Sequence, residues 1–232
     1  MFEETLIKGA KENLALLGGS GILSAAYLAG GTAVALQLGH RISVDFDFFV
    51  TNEFVPAVFS AELSKLGSFH QEQADRGTVL GKFEGIRFSL FVYKYPLICP
   101  PLKYLSLNIA DIRDIAAMKI DAVATRGAKR DFVDLYFISK SGYGLTELLA
   151  FYNKKYGKLA SNLIHIQKSL VFFGDAEADA MPRMLKKVEW KEVKQYFENE
   201  VKKLSTQIEV FLTEATEVTT KRRQNDNRKR GN

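Results

Sequence analysis

The sequence is poor in residues that cross-link a chain or carry it through a membrane. One cysteine, Cys99, stands among 232 residues, so no disulfide can close within the chain. It lies between Ile98 and Pro100, where it reads as a small buried hydrophobe, and a lone thiol suits a reducing compartment. The three histidines, His40, His70 and His165, are too few for a histidine-rich zinc site. No apolar run approaches the roughly 18 residues of a membrane span. The opening MFEETLIKGAKENLALLGG mixes acids and bases without the apolar centre of a signal peptide. The expected compartment is the cytoplasm, with no membrane partner.

Charge of one sign is also missing from most of the chain. The net charge is +5, and residues 221–232, KRRQNDNRKRGN, carry six bases and one acid, so the remaining 220 residues are neutral overall. The run reads either as a frayed, solubilising end or as an electrostatic arm for nucleic acid or an acidic partner. Apolar residues, by contrast, are plentiful at 47%, with 17 Phe and 9 Tyr, enough for a sizeable core.

Periodicity divides the chain into a mixed α/β part to about residue 106 and a helical part after it. Thr5 to Leu17 reads as a first helix broken by Gly18, Gly19 and Gly21. Thr32 to Leu38 is a short apolar helix. Val44, Phe46 and Phe48 alternate with Asp45 and Asp47, as in a strand with one wet face. A helix is expected over Glu53 to Leu66, then two or three strands, with Glu84-Gly85 as a hairpin turn between Thr78–Phe83 and Ile86–Tyr93. Asn108 or Asp111 is placed to cap a helix over Ile112 to Thr125. Further helices are expected over Lys129 to Ser139, Leu145 to Tyr156, Ser161 to Phe172 and Trp190 to Val218, with an acidic loop over Asp175 to Pro182. The expected units are 1–106, an α/β core; 107–220, a helical part; and 221–232, a basic, disordered tail.

Two blocks carry candidate chemistry. In the first, LAGGTAVALQLGHRISVDFDFF, Gly30 and Gly31 permit a close backbone approach to phosphate. The helix start supplies free N–H groups and Thr32 a hydroxyl. Asp45 and Asp47, two apart on a strand, share a face, and two such carboxylates repel unless a cation lies between them. Mg²⁺ held by carboxylates and substrate phosphates is the usual solution; the bland alternative is an exposed edge strand. Arg41 is placed to meet a triphosphate or to pair with an acid, and Ser43 to bond a phosphate or to fix the glycine turn. His40 reads as structural. In the second block, ADIRDIAAMKIDAVATRGAKRDFVDLYFI, Lys119 and Arg126 are seven apart on one helix face, and Asp131 and Asp134 three apart on the next helix. Lys119 and Arg126 are suited to phosphate charge in a transition state. Asp131 is placed to orient Lys119 or to help deprotonate a nucleophile. A helix–helix salt-bridge network, with Arg130 and Asp134 as one pair, explains the same residues.

A glycine pair, a short helix and Asp-x-Asp on a strand together resemble the nucleotidyltransferase superfamily related to DNA polymerase beta. More closely, the first block resembles the AbiEii/AbiGii toxin family of nucleotidyltransferases, from bacterial abortive-infection and toxin–antitoxin systems. The likeness covers roughly residues 25 to 140. It extends to the second block, where Lys119, Arg126, Arg130, Asp131, Asp134 and Leu135 match the family's pattern. The resemblance implies an α/β (α+β) fold, with a small mixed sheet flanked by helices and a mostly helical C-terminal part. It implies transfer of a nucleoside monophosphate from an NTP to an RNA, tRNA among the candidates, or to a protein, with Mg²⁺ and release of pyrophosphate. It makes Lys119 and Asp131 active-site residues and a cognate antitoxin a possible partner. One departure stands out. Relatives carry a third carboxylate on a later strand, whereas GIRFSLFVYKYPL has none and offers Ser89. A non-catalytic nucleotide- or partner-binding module with the same fold is therefore the alternative.

Overall fold

The computed structural model describes residues 1–206. A seven-stranded mixed sheet runs in the order β3-β4-β5-β2-β1-β7-β6. Its strands are β1 (Ala26–Ala29), β2 (Asp45–Val50), β3 (Phe69–Asp75), β4 (Thr78–Phe83), β5 (Ile86–Val92), β6 (Leu102–Tyr104) and β7 (Leu107–Ile109). Central β2 pairs antiparallel with β1 and parallel with β5. Its burial alternates as the sequence predicts. Phe46, Phe48 and Val50 are buried on one face, while Asp45, Asp47 and Phe49 are partly open on the other.

Three hairpins share one device. Arg76-Gly77, Glu84-Gly85 and Leu105-Ser106 each form a two-residue loop with positive φ at both positions, as a type I′ turn requires. Glu84-Gly85 is legible in the sequence; Leu105-Ser106 has no glycine to announce it.

The helices cover the sheet and supply the site's second wall. Helix α1 (Ala10–Ser20) lies near α3 (Pro56–Leu66), which packs on β3 and β4 beneath Phe59 and Phe88. The expected start and end of α1 both move. Glu3–Thr5 is a separate 3-10 turn, left-handed Gly9 precedes the helix, and α1 runs on through Gly18 and Gly19 to end at Gly21. Gly18 belongs there because the Leu105 carbonyl lies where a Cβ would stand. On the other side, α2 (Gly30–Leu38) meets α4 (Ile112–Arg126) and α5 (Lys129–Lys140), close to the expected bounds. Asp111 caps α4, its carboxylate accepting from the Arg113 N–H at 3.0 Å.

Asp114, in the first turn of α4, is fully buried. It accepts from Lys155 Nζ at 2.8 Å and from the Ile98 and Cys99 N–H groups, so it fastens the proline-rich stretch between β5 and β6. Cys99 itself is only partly buried. Lys155 stands on α6 (Leu145–Tyr156), which is followed by α7 (Leu159–Leu170). The expected helix from Trp190 is helical over 190–206; its remainder and the basic run 221–232 lie outside the described residues. No helix among the described residues is long and apolar enough to cross a membrane.

Candidate active site

The first wall is built where β1 turns into α2. Gly30 has φ +64°, and a Cβ there would stand 2.5 Å from Asp47 Oδ2. At Gly31 a Cβ would stand 2.5 Å from Arg41 Nη2 and 3.0 Å from Ser43 Oγ. Only glycine lets the chain pass this close to three polar side chains at a left-handed turn. No side chain caps α2, so its first turn presents free N–H groups. Thr32 does something other than face the solvent. It is buried, and its hydroxyl donates to the Asp45 carbonyl, which ties the start of α2 to β2.

Asp45 and Asp47 flank buried Phe46 and point to the open face of β2. Asp47 Oδ1 accepts from Ser89 Oγ at 2.7 Å, across the β2–β5 pairing that sets Asp47 opposite Ser89. Asp45 lies 3.8 Å from Arg87 Nε. Partial burial, then the charge of Asp47, pushes the Asp45 carboxyl up, against the pull of Arg87, Arg130 and Arg41. The repulsion expected of a same-face pair is therefore present. Two partly open carboxylates beside a glycine turn fit a hard divalent cation that completes its shell with phosphate and water. Ser89, with no charge of its own, stands opposite Asp47 on β5. Among the described residues no group of three His, Cys, Asp or Glu side chains gathers around such a cation.

The second wall is a buried ion network. Lys119 Nζ sits between Asp131 Oδ1 at 2.7 Å and Asp134 Oδ2 at 2.6 Å. Arg126 grips Asp131 through Nε at 2.8 Å and Nη2 at 3.0 Å. Arg41 grips Asp134 through Nε at 2.6 Å and Nη2 at 2.8 Å, and His40 Nε2 lies 2.8 Å from the same carboxylate. Burial alone would raise both carboxyl pKa values. Lys119 and Arg126 nonetheless hold Asp131 below the usual range, and Arg41 and Lys119 hold Asp134 well below it. Burial lowers the His40 pKa despite Asp134, so the imidazole is neutral at pH 7. Asp131 is thus an ionised acceptor with both oxygens occupied, suited to aiming Lys119 and Arg126 more than to taking a proton. Asp134 is held by Arg41, His40 and Lys119, not by Arg130, the partner its helical spacing suggested.

The two walls face one cavity of about 700 Å³. Gly30, Gly31, Arg41, Ser43, Asp45 and Asp47 line it from one side, Lys119 and Arg126 from the other; Asp131 and Asp134 stand behind. A model of the nucleotidyl transferase AbiEii toxin family, of type IV toxin–antitoxin systems, matches residues 16–96 and 92–210. The chain belongs to the AbiEii nucleotidyl transferase toxin family.

An uncharacterized protein of Aquifex aeolicus (strain VF5) is 39% identical over 202 residues, which span 85% of this chain and 96% of that protein. The AbiEii fold also recurs in solved structures of low identity. A putative nucleotidyltransferase from H. pylori is 14% identical with a TM-score of 0.50, covering 88% of this chain and 98% of its own. MenT4, a nucleotidyltransferase toxin from Mycobacterium tuberculosis H37Rv, is 14% identical with a TM-score of 0.51, covering 82% of this chain and 83% of its own. The mixed sheet flanked by helices, with a mostly helical C-terminal region, is the architecture expected of an AbiEii protein.

Part of this AbiEii cavity has no counterpart in the sequence reading. Residues 179–186, at the end of the acidic loop and just beyond it, form a strap along the cavity mouth. Arg41 bridges Met184, the Ile42 N–H donates to the Arg183 carbonyl at 2.9 Å, and the Leu185 and Lys186 N–H groups donate to the His40 carbonyl. Asp179 accepts the Lys129 N–H at 3.0 Å and its carbonyl accepts from Lys129 Nζ. The strap thereby caps α5 from a distance. Pro182 and Arg183 line the cavity, as do Arg87, Arg130, Leu80 and Phe91. Arg87 reads as a solvated surface residue in the sequence; only the pairing of Asp45 with Arg87 across β2 and β5 brings it to the site. No local pattern marks the strap, because its partners are Lys129, 50 residues upstream, and His40 to Ile42, about 140 residues upstream.

Proposed function

We propose that this protein transfers a nucleoside monophosphate from an NTP to a hydroxyl acceptor and releases pyrophosphate. The observation that carries the reading is convergence. The glycine–carboxylate block and the Lys119–Arg126 block, some 75 residues apart, line one cavity. The α2 N–H groups and Ser43 bind phosphate oxygens. Asp45 and Asp47 are the residues that would hold Mg²⁺, which when bound neutralises phosphate charge and polarises the phosphoryl group. Lys119 and Arg126 face the charge that develops on the pyrophosphate, kept in place by Asp131. Arg41, gripped by Asp134, supports Ser43 and the glycine turn and adds positive potential at the wall. The acceptor oxygen forms a new bond to the α-phosphorus as the bond from that phosphorus to the bridging oxygen breaks; the bridging oxygen leaves with the pyrophosphate, and the hydroxyl proton passes to solvent water. Residues 1–106 and 107–220 act as core and completing part of this one site.

The acceptor is an RNA, with tRNA an attractive case, or a protein hydroxyl; the +5 run at 221–232 favours RNA. A cognate antitoxin fits the family, and a cytoplasmic setting fits the single thiol. Ser89 at the third carboxylate position favours a second reading, a module that binds nucleotide without turnover. Labelled NTPs, incubated with total cellular RNA and protein beside an Asp47→Ala control, separate the two. Label that appears in one pool and needs Asp47 supports transfer. Bound NTP without Asp47-dependent label in any pool leaves the second reading.

A further inference from the structure

The strap poses a charge problem that the core motifs leave open. Lys119, Arg41 and Arg126 line the cavity and pair with Asp131 and Asp134 behind it. With His40 neutral, that network has one positive charge in surplus. A divalent cation would balance Asp45 and Asp47. Asp179 and Lys129 add one charge of each sign, the Asp179 carboxylate accepting the Lys129 N–H and the Lys129 ammonium donating to the Asp179 carbonyl. An NTP brings roughly four negative charges at neutral pH, so about three are unanswered by this network and the cation. Three further guanidiniums line the same cavity: Arg87, Arg130 and Arg183. Arg87 touches Asp45 only at 3.8 Å and is 70% exposed. Among the described residues, Arg130 and Arg183 form no ion pair with any carboxylate; the pairs at this cavity use Arg41, Arg87, Lys119 and Arg126 instead.

Geometry explains why they converge. Arg130 is the second residue of α5, directly after Lys129, which Asp179 of the strap holds through both its N–H and its ammonium. Arg183 stands four residues along the same strap, where its own carbonyl is fixed by the Ile42 N–H. Two cations are thus brought to one cavity by backbone contacts, and neither is in an ion pair with the acids that line it. Such an arrangement repels itself until an anion arrives, and a guanidinium fork matches a phosphate edge with two hydrogen bonds.

We infer that Arg130 and Arg183, held together by the strap, form the subsite for the terminal phosphates of the NTP and grip the pyrophosphate as it leaves. The inference rests on the nucleotidyl-transfer reading above. It makes the strap part of the substrate site, with a preference for a triphosphate over a monophosphate.

The test is equilibrium binding to the full chain with Mg²⁺. The probes are the NTP that binds tightest, its monophosphate, inorganic tripolyphosphate and a tRNA pool. Arg183→Ala and Arg130→Ala are each expected to weaken NTP and tripolyphosphate about tenfold while monophosphate binding changes less than twofold. Arg183→Lys, a point charge without the fork, should recover part of the loss. Both residues are exposed, so unchanged melting temperatures should accompany the variants. Equal loss for triphosphate and monophosphate, no loss for either, or loss confined to tRNA would overturn the subsite. Failure of the nucleotidyl-transfer reading looks different: NTP and tripolyphosphate binding would still depend on Arg130 and Arg183, while no Asp47-dependent label appeared in RNA or protein.

Discussion

Asp134→Asn is the most informative single change, because it separates the ion network's structural role from its catalytic one. The Asp134 side chain is fully buried and answers three groups: Arg41, Lys119 and His40. Asparagine keeps the shape and one acceptor oxygen but deletes the charge. Arg41, at 4% exposure, and Lys119, at 5%, would then keep their charges with less than full compensation. Breaking a buried pair from one side costs about 3–5 kcal/mol. For a domain of this size that corresponds to a fall in melting temperature of roughly 6–20 °C. Urea unfolding followed by circular dichroism measures it. The acid limb gives a second readout. The folded Asp134 carboxyl titrates well below its ordinary value. Its contribution is therefore fully present above about pH 4 and is lost as pH falls from there toward the folded pKa. Asp134→Asn should flatten that acid loss. A cost below about 1 kcal/mol, the range of exposed pairs, with an unchanged acid limb, would refute the view that this carboxylate holds the second wall together.

Two further changes test other parts of the fold and site. Gly18→Ala should destabilise the protein by about 1–3 kcal/mol, since α1 must move off the Leu105 carbonyl, and leave nucleotide affinity unchanged; a variant as stable as wild type in urea would show the approach is slack. Ser89→Asp places a third carboxylate opposite Asp47. It should lower the melting temperature at pH 7 without divalent cation and restore it with millimolar Mg²⁺, and a thermal-shift assay showing no added Mg²⁺ response would count against a cation at this face.

Much of the fold was readable because it rests on local signals. Asp45 to Phe48 alternate, and the strand buries the phenylalanines as that alternation requires. Glu84-Gly85 marks its own turn, and Asp111 marks the start of α4. The unreadable parts have non-local causes. β7 pairs parallel to β1 some 80 residues away, and its hairpin partner is reached through Leu105-Ser106, residues that seldom take positive φ. Within the site, spacing placed Lys119 with Arg126 and Asp131 with Asp134, and the structure sets all four side by side. Spacing left Arg41 free to meet phosphate or an acid, and only the fold shows Asp134 holding two of its nitrogens. Thr32 is a related case: a hydroxyl at a helix start suits phosphate, and here it donates to a neighbouring strand carbonyl.

The bridge between Arg41 and Met184 also has a consequence in time. A ribosome adds about 5–20 residues per second, so roughly 7–30 s separate the synthesis of these two partners. Through that interval the glycine turn and Asp45–Asp47 already exist as a chain, while the strap that closes the mouth has not been made. A nascent copy therefore carries the signature of the site long before it carries the site, and any activity begins only after the strap has been made.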